Sequence, residues 1–339
     1  MPDLVQRFAA TLERDGIPLC HWKGAAALAR GLAGERDLDF LVPREAFTRT
    51  EAALLGTGFK AARSRYGGDA PGTAHFFGRE PGQERLLHVH LHDRVLSGED
   101  LIHSHTLPLE RALLESPDRA HGVRVPTPAQ ETLLTVLKHA IRWGSLPDAA
   151  QAWLRPKHEQ SELARLLSDE TVAEAVTLLR AHLPALDEAT FRACAASLRE
   201  GRWRAERLRL AARVRHALRP WANHGAGARL AAYARVGMAR VRRLLDGGRR
   251  DKALRGRGVS IAFVGGEAAA RAALVAETAG WLGQAFAVRV LRAPADASPP
   301  PGEIVLCDGE PAGRAPGLHI DAGAAIDAES LHARIWDVL

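Results

Sequence analysis

Residues 17–42 read IPLCHWKGAAALARGLAGERDLDFLV. Pro18 to Cys20 is a short extended lead-in, broken at Trp22-Lys23-Gly24. Ala25 to Leu32 is a run of strong helix formers, which Gly31 and Gly34 are expected to end. Asp37-Leu38-Asp39-Phe40-Leu41-Val42 alternates acid and apolar, then turns fully apolar. Residues two apart in a strand share a face, so the spacing predicts that Asp37 and Asp39 project side by side. Two such carboxylates repel unless a cation lies between them. Hard oxygen donors in that arrangement suit a divalent ion that keeps positions open for water and phosphate. A pair of ions roughly 3.5–4 Å apart can clamp both oxygens of an in-line phosphoryl displacement. Gly24, with no side chain, lets backbone N–H groups approach a phosphate closely.

Gly24-Ala25, a helix-length spacer and Asp37-Leu38-Asp39-Phe40 resemble the nucleotidyltransferase superfamily, the polymerase-beta-like fold. Trp22-Lys23-Gly24 and Arg36-Asp37-Leu38-Asp39 are similar, more narrowly, to a bacterial group of that superfamily often fused to a thymidylate-kinase-like P-loop domain. The resemblance implies an α/β (α+β) chain with a mixed sheet flanked by helices, and metal-dependent transfer of a nucleotidyl group from an NTP to a hydroxyl or phosphate acceptor. It implies Mg²⁺ or Mn²⁺ at Asp37 and Asp39, with Lys23, Gly24, Ala25 and Arg36 on the nucleotide side. Ala25 departs from the family pattern, which often has a hydroxyl there.

Residues 3–15 read as a helix with Leu4, Phe8 and Leu12 on one face. A second helix runs from Pro43 to Leu55, and short strands are expected at Phe59 to Ala61 and Ala74 to Phe77. In Arg85-Leu86-Leu87-His88-Val89-His90-Leu91-His92-Asp93 the three histidines fall at period two, on one face of a strand. The superfamily normally draws its third carboxylate from a strand here; this chain offers imidazoles. Neutral imidazole ligates Mn, Zn, Fe or Ni well and Mg poorly. His88, His90 and His92 are therefore candidates to complete the metal site, with His90 as a candidate base. The alternative for all three is hydrogen bonding within the sheet. Asp93 follows out of phase. Downstream, His103 and His105 precede Leu107-Pro108-Leu109-Glu110, which is similar to a family stretch after the third strand.

Thr127 and Gln130 form a capping box, with Pro128 at the first helical position. Leu133, Leu134, Leu137, Ala140 and Ile141 make an apolar stripe. Lys138 and His139 at its edge are candidates for triphosphate contact or for plain solvation. From 145 to 248 only helices are expected, broken at Gly144, near Pro156, and at Pro184, Gly201, Pro220 and Gly225 to Gly227. Residues 202–250 carry fourteen Arg, no Lys, and only Glu206 and Asp246 as acids. This local charge of +12 leaves −6 for the rest of a chain whose net charge is +6. Such basic amphipathic helices suit a nucleic-acid backbone, an anionic membrane surface or an acidic partner; long arginines also simply solvate helices.

Gly258 to Gly265 is a buried-type strand, and the helix after it places them where a strand, P-loop and helix would stand. The pattern requires Gly-Lys-Ser/Thr, where this chain has Ala270-Arg271-Ala272. Glu267 sets a negative charge where phosphates belong. With strands expected at 288–291, 303–308 and 318–321 and a closing helix from Glu329, residues 255–339 resemble a truncated, degenerate thymidylate-kinase-like domain without ATP chemistry.

The resulting division is 1–125, 126–250 and 255–339. The chain has 339 residues and three scattered cysteines, Cys20, Cys194 and Cys307, with no zinc pattern. No apolar run nears the ~20 residues of a membrane span, and the first segment lacks the features of a signal peptide, so a cytoplasmic home is expected. The rival functional expectation is a catalytically inactive binding or adaptor protein for a peptide, saccharide or partner enzyme.

Overall fold

The computed structural model describes residues 2–339 except 67–68, 100–101, 144–162, 164–165, 202–204, 247–251, 293–298, 311–316 and 325. The expected breaks at Gly144 and Pro156, Arg202, and the last residues of the Arg-rich stretch lie outside the described residues. The chain is mixed α/β.

The first helix, α1, spans Asp3–Arg14, and its Leu4, Val5, Phe8 and Leu12 are buried. β1 (Cys20–His21) leads through the Gly24 bend into α2 (Ala25–Leu32), and β2 is Leu38–Leu41. Gly34, with φ near 70°, closes α2 as expected, but Gly31 lies inside the helix. A Cβ on Gly31 would come within 2.6 Å of the Leu38 side chain, so the missing side chain there lets α2 lie close on β2. α3 is Phe47–Gly56. β3 (Lys60–Ser64), β4 (Thr73–Gly78) and β5 (Leu87–His92) follow. A small hairpin, β6 (Val95–Ser97) and β7 (His105–Leu107), and α4 (Glu110–Leu114) lead to β8 (Arg119–Ala120) and β9 (Val123–Arg124).

α5 spans Pro128–Arg142 and starts on the expected capping box: Thr127 Oγ1 accepts from the Gln130 N–H, and Gln130 Oε1 accepts from the Thr127 N–H. α6 (Asp169–His182), α7 (Glu188–Glu200) and α8 (Glu206–Ala217) pack with α5 around a core that includes Leu137, Leu179, Phe191 and Val214. α9 is the 20-residue helix Ala226–Leu245.

The chain then returns to the first sheet. β10 (Lys252–Leu254) pairs antiparallel with β3, giving an eight-stranded sheet in the order β10-β3-β4-β5-β2-β1-β9-β8. Nothing in three residues marks such a strand, because its stability comes from an edge it meets only in the folded chain. The C-terminal unit has β11 (Val259–Val264), α10 (Ala268–Leu282), β12 (Val288–Arg292), β13 (Ile304–Asp308), β14 (Leu318–Asp321) and α11 (Ala328–Val338). Its four strands are all parallel, ordered β12-β13-β11-β14.

Candidate metal centre

The two faces of β2 and β5 have opposite characters. Leu38, Phe40, Leu87, Val89 and Leu91 enter the core with Phe8. β2 and β5 run parallel with Asp39 opposite His90 and Leu41 opposite His92. β4 pairs antiparallel with β5, setting His75 opposite His90 and Phe77 opposite His88. Asp37, Asp39, His88, His90, His92 and His75 therefore share one face. Apolar neighbours frame the row on that face: Leu41 belongs to the helical core, while Phe77, Ala62 and Leu254 join the core of the C-terminal unit.

His90 stands between the two acids, with Nε2 3.5 Å from Asp37 Oδ2 and Nδ1 3.5 Å from Asp39 Oδ1. His88 Nδ1 is 2.7 Å from Asp37 Oδ1, and His92 Nε2 is 3.2 Å from Asp39 Oδ1. The His88 ring stacks on Phe77 at 4.2 Å, and Trp22 meets His92 edge-on at 5.4 Å. Asp39 is buried, while the Asp37 side chain is 45% exposed and marks the mouth of the site.

Burial opposes ionisation of both acids, but their partners overcome it. The hydrogen bond from His88 and the charges of His90 and His88 hold Asp37 down at about 2. Lys23 and the hydrogen bonds from His90 and His92 hold Asp39 well below the usual carboxylate range. Burial pushes His90 down to about 3 and lowers His92 and His75 as well. Near neutral pH the row thus presents ionised carboxylates and neutral His75, His90 and His92, the states a cation needs.

Two overlapping groups, Asp39/His90/His92 and His75/His88/His90, each offer three donor atoms within 4.8 Å of one another. Nε2 of His88, Nε2 of His90 and Nδ1 of His92 are buried without a hydrogen-bond partner among the described residues. Buried polar atoms are ordinarily satisfied, so these orphaned nitrogens fit a donor set for a metal ion. The mixture of imidazole and carboxylate suits Mn²⁺ and its later first-row neighbours better than Mg²⁺.

The expected nucleotide-side residues are distributed differently. Lys23 Nζ is 2.8 Å from Asp39 Oδ1, so this lysine is tied to the acid while keeping 43% of its side chain exposed. Ala25 is the exposed first residue of α2, and Arg36 is exposed just before Asp37. Gly24 has φ near 90°. A Cβ there would lie 2.4 Å from the Glu131 carboxylate, so an acid from α5 stands against the bend expected to cradle phosphate. Lys138 is exposed on α5, seven residues beyond Glu131 and on the same side of the helix.

Four residues of this region escape the sequence reading. His75 sits one strand over from the expected row, and its alternation with Phe77 was the available signal. Asp69 Oδ1 lies 3.1 Å from His75 Nε2, and Lys252 Nζ lies 2.8 Å from the same nitrogen. Lys252 and Glu131 carry no local signal, because β10 and α5 bring them in from distant segments. Asp93 stands apart, paired with Arg94, and His105 bonds Ser104 on β7.

In the C-terminal unit Arg271, at the position of the P-loop lysine, reaches Asp308 Oδ1 at 2.5 Å and the Gly265 carbonyl at 3.1 Å. Asp321 Oδ1 lies 2.5 Å from where a Gly265 Cβ would stand and accepts the Gly323 N–H. Asp308 from β13, Asp321 from β14 and Arg271 from α10 thus crowd the turn after β11.

No family model matches the chain, and no curated protein matches it.

Proposed function

We propose that the chain is a divalent-metal-dependent nucleotidyltransferase, moving a nucleotidyl group from an NTP to a hydroxyl or phosphate acceptor. The observation that carries this reading is His90 set between Asp37 and Asp39, with unclaimed imidazole nitrogens on either side of it. Asp39, His90 and His92 would hold the ion, with Asp37 facing the other nitrogen of His90 at the mouth, and this donor set would favour Mn²⁺ over Mg²⁺. When bound, the ion neutralises phosphate charge and polarises the bond to be broken.

The chain's own groups supply the rest. Lys23 adds positive charge beside Asp39, with Arg36 and Lys138 as further cations toward the triphosphate. His88 Nδ1, 2.7 Å from Asp37 Oδ1, fixes the orientation of that carboxylate at the mouth. The acceptor hydroxyl attacks the α-phosphorus as it loses its proton to water, and pyrophosphate leaves. The test is pyrophosphate release by the full chain from each of the four NTPs with Mn²⁺ or Mg²⁺. The reading requires Mn²⁺-dependent turnover that Asp37→Asn abolishes; full turnover in Asp37→Asn contradicts it.

One observation favours a second reading, an inactive binding or adaptor protein: the Glu131 carboxylate stands against the Gly24 bend, in the space a phosphate would need. Thermal shift separates the two. A transferase gains stability from NTP only with Mn²⁺, by the mass action of ligand on the folded state; an adaptor gains none from either.

A further inference from the structure

We propose that α9 is a membrane-surface helix, which lies in the headgroup region of an anionic bilayer and holds the protein there. Eight large apolar side chains are exposed among the described residues, and five belong to this helix: Leu230, Met238, Val241, Leu244 and Leu245. Leu244 is 74% exposed and Leu245 83%. At 100° per residue these five fall within one stripe about a third of a turn wide. The side turned to the body is different. There Ala232 is buried, Tyr233, Val236 and Ala239 are partly covered, and Arg229 is ion-paired with Glu99. The apolar stripe therefore points away from the protein.

Arg235 and Arg242 border the stripe on one side and Arg240 on the other, with Arg243 in the last turn; Ala226–Leu245 contains no acid. An outward apolar stripe bordered by cations matches an anionic lipid surface, where acyl chains take the leucines and headgroups the arginines. The other occupants fit less well. A second copy would bring two arginine borders together with no acid to pair across, and the middle of the stripe holds Ala234 and Gly237, which give no interlocking side chains. A nucleic-acid backbone would use the arginines and leave the leucines in water. No helix among the described residues is long and apolar enough to cross a membrane, so α9 would lie on the surface.

The experiment is co-sedimentation of the full chain with vesicles of pure phosphatidylcholine and with vesicles containing about 30 mol % phosphatidylserine, a lipid that gives an anionic surface. Binding to the anionic vesicles is expected, weakening with salt. Changing Arg235, Arg240, Arg242 and Arg243 to Gln should weaken it roughly fivefold per arginine. Leu244→Asp with Leu245→Asp should abolish it with every arginine retained. All six positions are exposed, so folding should persist, and circular dichroism checks this. Absence of phosphatidylserine-dependent binding by the unaltered chain overturns the proposal without any variant. A concentration-dependent dimer that the Leu244/Leu245 change dissolves would assign the stripe to a second copy. Duplex binding indifferent to that change, with no vesicle binding, would assign the helix to nucleic acid.

Discussion

Asp39 and His90 are register partners on neighbouring parallel strands, and the imidazole Nδ1 stands 3.5 Å from the carboxylate. Parallel pairing turns opposite residues to the same face, so β2's alternating acids and β5's alternating histidines must meet. A slip of one residue in either strand would send the acids or the histidines into the core with Phe8. The apolar residues on the opposite face hold the polar row in register.

Asp37 and Asp39 should respond differently to amidation. Asp37 is at the mouth of the site, so Asp37→Asn should lower Mn²⁺ affinity at least tenfold with a smaller fall in urea midpoint than Asp39→Asn. Asp39 is buried against Lys23, His90 and His92, so Asp39→Asn should also cost about 1–3 kcal/mol of stability through lost charge-assisted hydrogen bonds. Metal titration beside denaturant melts of both variants checks the split. Equal stability losses would place the two acids in equivalent environments, against the geometry.

Gly24→Ala should destabilise the protein by roughly 1–3 kcal/mol, since φ near 90° strains any L residue and the new Cβ meets Glu131 at 2.4 Å. Adding Glu131→Ala should recover the steric part and leave the backbone part. A double-mutant cycle on unfolding free energies reads the coupling directly.

Much of this was legible from spacing. The turn, helix α2 and period-two acids follow from local preferences, as do the His88/His90/His92 face and the capping box at Thr127. Non-local pairing was not legible. Gly31 looked like a helix end because its role, making room for Leu38, depends on a strand packed against it. His75, Lys252 and Glu131 reach the region through sheet register and helix docking, which no short window encodes. The outward direction of the α9 stripe likewise emerges only once the other side of the helix is seen against the body.

Stability should fall as pH drops below the unfolded histidine value. Burial lowers His21 from its ordinary 6.5 to about 4, so between those values the unfolded chain binds a proton that the folded chain refuses. His105 at about 4 and His90 at about 3 act in the same direction, and Asp37 joins them at lower pH. Unfolding free energy should thus rise with pH through this window. His21→Leu should shrink the loss between neutral pH and about pH 5 by about 2 kcal/mol, whatever its cost near pH 8. Urea melts across the range check this; an unchanged acid limb would contradict the burial argument.

Arg271 serves structure in this account, bridging Asp308 and the Gly265 carbonyl. Arg271→Ala should lower stability by about 1–2 kcal/mol by leaving Asp308 without its partner. Arg271→Lys should not create MgATP binding, because Asp321 and Glu267 keep negative charge at the loop. Calorimetry with the full-length variant checks the second point.

The most direct test of the metal centre is electron paramagnetic resonance of Mn²⁺ titrated into the full chain, where bound ion is lost from the free-ion signal. Saturable binding is expected, tightened by NTP, lost in Asp37→Asn/Asp39→Asn, and weakened in His90→Ala. A free-ion signal undiminished by the unaltered protein, with and without NTP, would contradict it.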